Sequence, residues 1–135
     1  MKKRMIDRDE AISLMEKAVI ERGEDWRYPR ETMGMKCVYF MPSHVEDELV
    51  ERTGLQKGGP ACLVGMALSF VGLTEEIVGY SNDESVLCVS NCAAESDEVD
   101  WVLSGGAITV FNAAQKVQDR GGEWGAALKV AKEIS

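Results

Sequence analysis

Cys62 and His44, the single histidine, are the side chains best suited to nucleophilic chemistry. Cys62 stands in Gly58-Gly59-Pro60-Ala61-Cys62-Leu63-Val64, where an almost wholly apolar run reaching Leu73 begins. A thiol at a helix start has a lowered pKa and becomes a nucleophile when a base lies within reach. His44 is the one imidazole available for that part, and the pair would make a cysteine-dependent enzyme. The opposing reading is packing, since small thiols are common in protein interiors and Leu63 and Val64 make the surroundings apolar. The residues favour packing, so no residue is assigned as catalytic and Cys62 with His44 stands as the alternative.

The same stretch allows a second chemistry. Backbone amides at Gly58 and Gly59, followed by a helix start at Cys62, would form an anion site for a small ligand such as a nucleotide. Neither the Walker spacing nor Gly-x-Gly-x-x-Gly after a strand is present, and Gly105-Gly106 and Gly121-Gly122 likewise read as turns. Cys88 and Cys92, four apart, share one face of a helix, and Cys37, Cys62 or His44 would complete a tetrahedral set. Structural zinc sites favour tighter pairs such as Cys-x-x-Cys, so neither a metal nor a cofactor is expected.

Recognition of another protein is the third chemistry. Gln115, Gln118, Asp119 and Arg120 fall on the polar side of a predicted helix, either as a solvated face or as a surface for a partner. Trp26, Trp101, Trp124 and Tyr80 are large anchors, and an exposed Trp101 in its acidic loop would be a binding hot spot. Trp101, Gln115, Gln118 and Asp119 are therefore the partner-binding candidates.

These residues need elements to hold them. Asp7 or Asp9 caps a predicted helix over about 9–22, with Ala11, Leu14, Met15, Ala18 and Val19 as its apolar stripe and Gly23 as its stop. Residues 37–41 read as a short strand ended by Pro42, pairing across the Met33-Gly34 turn with 26–31 as a small hairpin. Ser43 caps a short helix over 44–53, with Glu46 at the capping-box position and Gly54 beyond its end. Pro60 opens the apolar helix 61–72, where Gly65 and Ser69 leave a groove for another helix. Thr74 starts a helical turn, 85–94 forms a short helix, and 95–106 is mostly loop. Thr109 caps a helix carrying Val110, Phe111, Ala114 and Val117. After Gly121-Gly122, Trp124 heads a last helix with Ala127, Leu128 and Ala131 inward. The fold class expected is mainly α, or α+β with one small β-hairpin: a compact helical bundle around a central apolar helix, with 1–135 as a single domain.

Composition narrows the classes. Over 135 residues, 45% apolar and 28% charged content is ordinary for a globular chain and argues against disorder. The net charge of −8 opposes direct nucleic-acid binding, which needs a basic footprint. Met1-Lys2-Lys3-Arg4 is followed by Asp7, Arg8, Asp9 and Glu10 rather than an export segment, and no apolar run is long enough for a membrane span. A cytoplasmic protein with reduced thiols is expected.

Two motifs carry a resemblance. Pro60-Ala61-Cys62-Leu63-Val64-Gly65 with Ala67-Leu68, and Ala114-Gln115…Gln118-Asp119…Gly121…Trp124…Ala127-Leu128, resemble small proteins of no established activity encoded by tailed actinobacteriophages and related prophages. The likeness covers roughly residues 37–131 and carries over no functional residue. Met66 stands where members of that group often have histidine, which weakens any role needing a Cys-His pair inside the motif. The resemblance implies a phage accessory protein acting in the cytoplasm of the infected host cell, by binding a host or phage protein in host takeover or counter-defence. A surplus of apolar residues (Val86, Leu87, Val99, Trp101, Val102, Leu103 and Ile108) further suggests a homodimer near the C-terminal helical pair.

Overall fold

Asp7 sets the first boundary. Its backbone is extended and its carboxylate accepts the Glu10 N–H at 2.9 Å, which starts α1 (Arg8–Arg22). A computed structural model of the chain describes residues 3–34 and 37–134. Met1-Lys2 of the sequence start and residues 35–36 of the expected hairpin lie outside the described residues. Ala11, Ile12, Leu14, Met15, Ala18 and Val19 form the buried face of α1, the stripe its periodicity predicts.

Among the described residues six further α-helices follow: α2 (Asp47–Thr53), α3 (Leu63–Ser69), α4 (Glu75–Val78), α5 (Val86–Glu95), α6 (Gly105–Asp119) and α7 (Trp124–Glu133). Thr74 and Ser85 cap α4 and α5 through their hydroxyls. Helix α2 begins later than predicted, with Glu46 rather than Ser43 at its cap, and no side chain closes that end. Helix α6 begins earlier than predicted, because Ser104 Oγ accepts the Ala107 N–H at 3.0 Å. Thr109 lies inside the helix, its hydroxyl donating to Gly105 O.

The small β element is a parallel pair, not a hairpin. Strand β1 (Arg4–Ile6) lies beside β2 (Trp101–Leu103), within the segment expected as loop. Residues 39–41 pair elsewhere: they run antiparallel to 59–61, with Ala61 N donating to Tyr39 O and Met41 N to Gly59 O, both at 2.8 Å. Pro60 consequently sits in this pairing ahead of the helix rather than in its first turn. The 26–27 segment pairs with the start of α7, where Trp124 N donates to Trp26 O at 2.9 Å.

Helix α3 is the centre of the molecule, with residues 63–68 all buried and α1 and α6 packed against it. Gly65 allows a close approach, as expected, but the neighbour is a backbone strand rather than a helix. A Cβ at that position would collide with the Tyr39 carbonyl. Helices α6 and α7, the C-terminal pair, pack on each other, and α1 packs on both. Of the apolar residues that suggested self-association, Val86, Val99, Trp101 and Leu103 are buried within one chain, whereas Leu87 is exposed. Among the described residues no helix is long and apolar enough to cross a membrane.

Candidate functional site

Helix α6 aims two carboxamides at the start of α3. Ala107, Phe111, Ala114 and Gln118 are spaced by four, three and four residues, so Gln118 occupies a core position and is fully buried. Its Oε1 accepts from Leu63 N at 2.8 Å and from Trp124 Nε1 at 3.0 Å, while its Nε2 reaches Cys37 Sγ at 3.2 Å. Gln115, one turn earlier and half-buried, places Nε2 at 3.3 Å from Cys37 Sγ and Oε1 at 3.9 Å from Cys62 Sγ. A polar side chain survives in the core here because each of its polar atoms has a partner.

Cys62 is completely buried and acts as the N-cap of α3, its sulfur accepting the Gly65 N–H at 3.3 Å. Cys37 is half-buried, and its sulfur accepts from the carboxamides of Gln115 and Gln118. Cys62 and burial together push the Cys37 thiol far above its ordinary value. Burial likewise raises the phenols of Tyr28 and Tyr39. It also raises the Asp119 carboxyl, although hydrogen bonds to Cys37 and Gln118 act against it. Behind Cys62, the Arg22 guanidinium donates to the carbonyls of Pro60 and Ala61 and stacks over Trp26 and Trp124 at 4.7 and 5.1 Å. Its desolvation lowers its pKa to about 10.

Two hollows open on the outer side of this cluster. One, of about 440 Å³, is lined by Cys37, Tyr39, Glu84, Asn112, Gln115 and Asp119. The other, of about 520 Å³ and mostly apolar, is lined by Val38, Pro42, His44, Tyr80 and Asn82. Asp83 borders both, so the 79–86 segment is the ridge between them. Asn82 fixes that ridge: its Oδ1 accepts from Phe40 N at 2.9 Å and its Nδ2 donates to Phe40 O at 2.8 Å. Tyr39 adds an O–H to Glu84 O at 2.8 Å. Tyr80, on the rim, is fully exposed.

The sequence candidates separate on this framework. His44 is exposed on the rim of the apolar hollow, whereas Cys62 is completely buried behind Gln115 and Gly65 and lines neither hollow, so the two do not share one site. The amides proposed as an anion cradle have internal acceptors, Gly58 N–H donating to Met41 O at 2.7 Å and Gly59 N–H to Gln56 O at 3.0 Å. Cys88 shares a hydrogen bond with Ser85 and Cys92 donates to Val78 O. Among the described residues no cluster of three or more His, Cys, Asp or Glu forms a metal site. Trp101 is completely buried, its indole N–H donating to Val71 O at 2.8 Å, and presents no surface to a partner. Gln118 is likewise interior, Gln115 lies in the wall of the polar hollow and Asp119 on its exposed rim.

Sequence reasoning took Cys37 only as a metal-ligand alternative and missed both its place beside Gln115 and Gln118 and the burial of Gln118. The first had a weak signal, since Cys37, Tyr39 and Met41 alternate along one face of a β-rich run. The second had a clear one, the spacing that makes Gln118 continue the apolar stripe of its helix. No family model matches the chain, and neither a curated protein nor a solved structure is found to match it.

Proposed function

We propose that this chain works without catalysis, by binding another protein through the face that carries Tyr80. The observation that carries the reading is Tyr80 itself, fully exposed beside a mostly apolar hollow. An aromatic ring standing in water gains by burial against a partner, and tyrosine is prominent among interface hot spots. Asn82 and Tyr39 hold the ridge in shape, so little order has to be gained on binding.

Charge selects the partner. Glu75 and Asp83 line the apolar hollow, Glu84 and Asp119 line the polar one, and the chain carries −8. A basic segment with an apolar side chain for the hollow complements this surface, and opposite charge speeds encounter. The resemblance of residues 37–131 to actinobacteriophage proteins supports a host or phage protein as that partner, met in the cytoplasm of an infected cell.

A photo-crosslinking residue at position 80, compared with one at the exposed Lys129, tests the reading in infected cells. It is supported when position 80 alone traps one protein that also binds the purified chain. Equal trapping at both positions contradicts it. Self-association is a second reading, favoured by Ile20 and Val130, which stay exposed on the neighbouring helices α1 and α7. A scattering mass of 14.8 kDa at micromolar concentration would contradict that one.

A further inference from the structure

The polar hollow leads to a second feature. Cys37 lies in its wall and Cys62 directly behind, with the Gln115 carboxamide reaching both sulfurs at 3.3 and 3.9 Å. We propose that Cys37 and Cys62 form an oxidisable dithiol, which a small peroxide entering this hollow converts to an intramolecular disulfide.

Three observations carry the proposal. Access is graded: Cys37 is half-buried at an open hollow, whereas Cys62 has no exposed surface, so an oxidant meets Cys37 first and Cys62 resolves. Backbone placement suits closure, because the antiparallel pairing of 39–41 with 59–61 puts residues 37 and 62 at its adjoining ends. One carboxamide spans the two sulfurs, Gln115 lying 3.3 Å from Cys37 Sγ through Nε2 and 3.9 Å from Cys62 Sγ through Oε1. By contrast, Cys88 and Cys92 are engaged with Ser85 and the Val78 carbonyl, respectively.

The chemistry balances. Cys37 sulfur attacks one peroxide oxygen; an S–O bond forms, the O–O bond breaks and one water leaves, giving the sulfenic acid. Cys62 sulfur then attacks Cys37 sulfur; the S–S bond forms, the S–O bond breaks and a second water leaves. Two thiols are oxidised by two electrons and one peroxide is reduced to two waters. The Cys37 thiol is held protonated, so its first step is slow at neutral pH and accelerates as pH rises. Closure cross-links a segment that contains α2 and stabilises the fold by restricting the unfolded chain.

The test uses the full chain with Cys88→Ser and Cys92→Ser, because no Lys or Arg separates Cys62 from those two residues and trypsin leaves all three in one peptide. Hydrogen peroxide treatment is expected to remove two hydrogen masses, to yield a Cys37–Cys62 linked peptide, and to raise Tm until dithiothreitol restores it. Adding Cys62→Ser, which keeps an oxygen able to cap α3, is expected to stop oxidation at a Cys37 sulfenic acid trapped by dimedone. Separate over-oxidation of the two thiols, or linkage only between chains, overturns the proposal. Neither result bears on Tyr80, so this proposal and the binding reading fail independently.

Discussion

Gln118 Oε1 accepts two buried hydrogen bonds at once, from Leu63 N at the start of α3 and from Trp124 Nε1 at the start of α7. One oxygen thereby joins the central helix to the C-terminal hairpin. Gln118→Ala leaves both donors unpaired, and an unsatisfied buried donor costs about 1–3 kcal/mol. Chemical denaturation is expected to show a loss of at least ~2 kcal/mol, with Gln118→Glu also destabilising because it buries a charge. A loss within about 0.5 kcal/mol, the range of an ordinary surface change, contradicts this role.

Gly65 is required by what passes over it. A methyl group there meets the Tyr39 carbonyl, a backbone atom held by its hydrogen bond to Ala61 N. Gly65→Ala is expected to destabilise by about 1–3 kcal/mol, the range for inserting atoms into a packed core. The higher helix propensity of alanine works the other way by only about 1 kcal/mol. A variant at least as stable as the parent would show that residues 39–41 do not lie where the structure places them.

Alkaline pH gives a test of the buried cluster. Cys37, Tyr28 and Tyr39 all have folded-state pKa values raised above their ordinary values of 9.0, 10.0 and 10.0. Above about pH 9 the unfolded chain releases protons that the folded chain retains, so stability falls as pH rises. The contribution is fully present below pH 9 and is lost progressively above it. Tm is expected to decline between pH 9 and 11, less steeply in Cys37→Ser and Tyr28→Phe. A flat profile for the parent chain contradicts the burial of these groups.

What the sequence makes legible follows from how local each signal is. Asp7, Thr74 and Ser85 cap helices because a single side chain three residues from an amide suffices. The stripe of α1 and the all-round apolar α3 are similarly local. Ser104 is hidden by the two glycines after it, which read as a turn yet form the first turn of α6. Strands β1 and β2 have three residues each, too few for a period, and their pairing joins positions almost a hundred residues apart. Gln118 misleads by its type, since polarity suggests a solvated face while its spacing places it in the core. Tyr80 is visible as an anchor, but whether such a ring is buried or exposed depends on the packing of the whole chain.

Tyr80→Ala removes only exposed contacts and is expected to change stability by less than about 0.5 kcal/mol. Thermal melts of the variant and parent should coincide. A drop of several degrees would mean that the ring packs on its own chain.

The most direct measurement of the binding account is calorimetry of the purified chain with the protein trapped at position 80. Binding is expected to weaken at least tenfold in Tyr80→Ala, about 1.4 kcal/mol, and also in Asp83→Lys, with an affinity that falls as salt rises. The same Kd for parent and both variants, unchanged by salt, would contradict the claim that this acidic, aromatic face is where the protein acts.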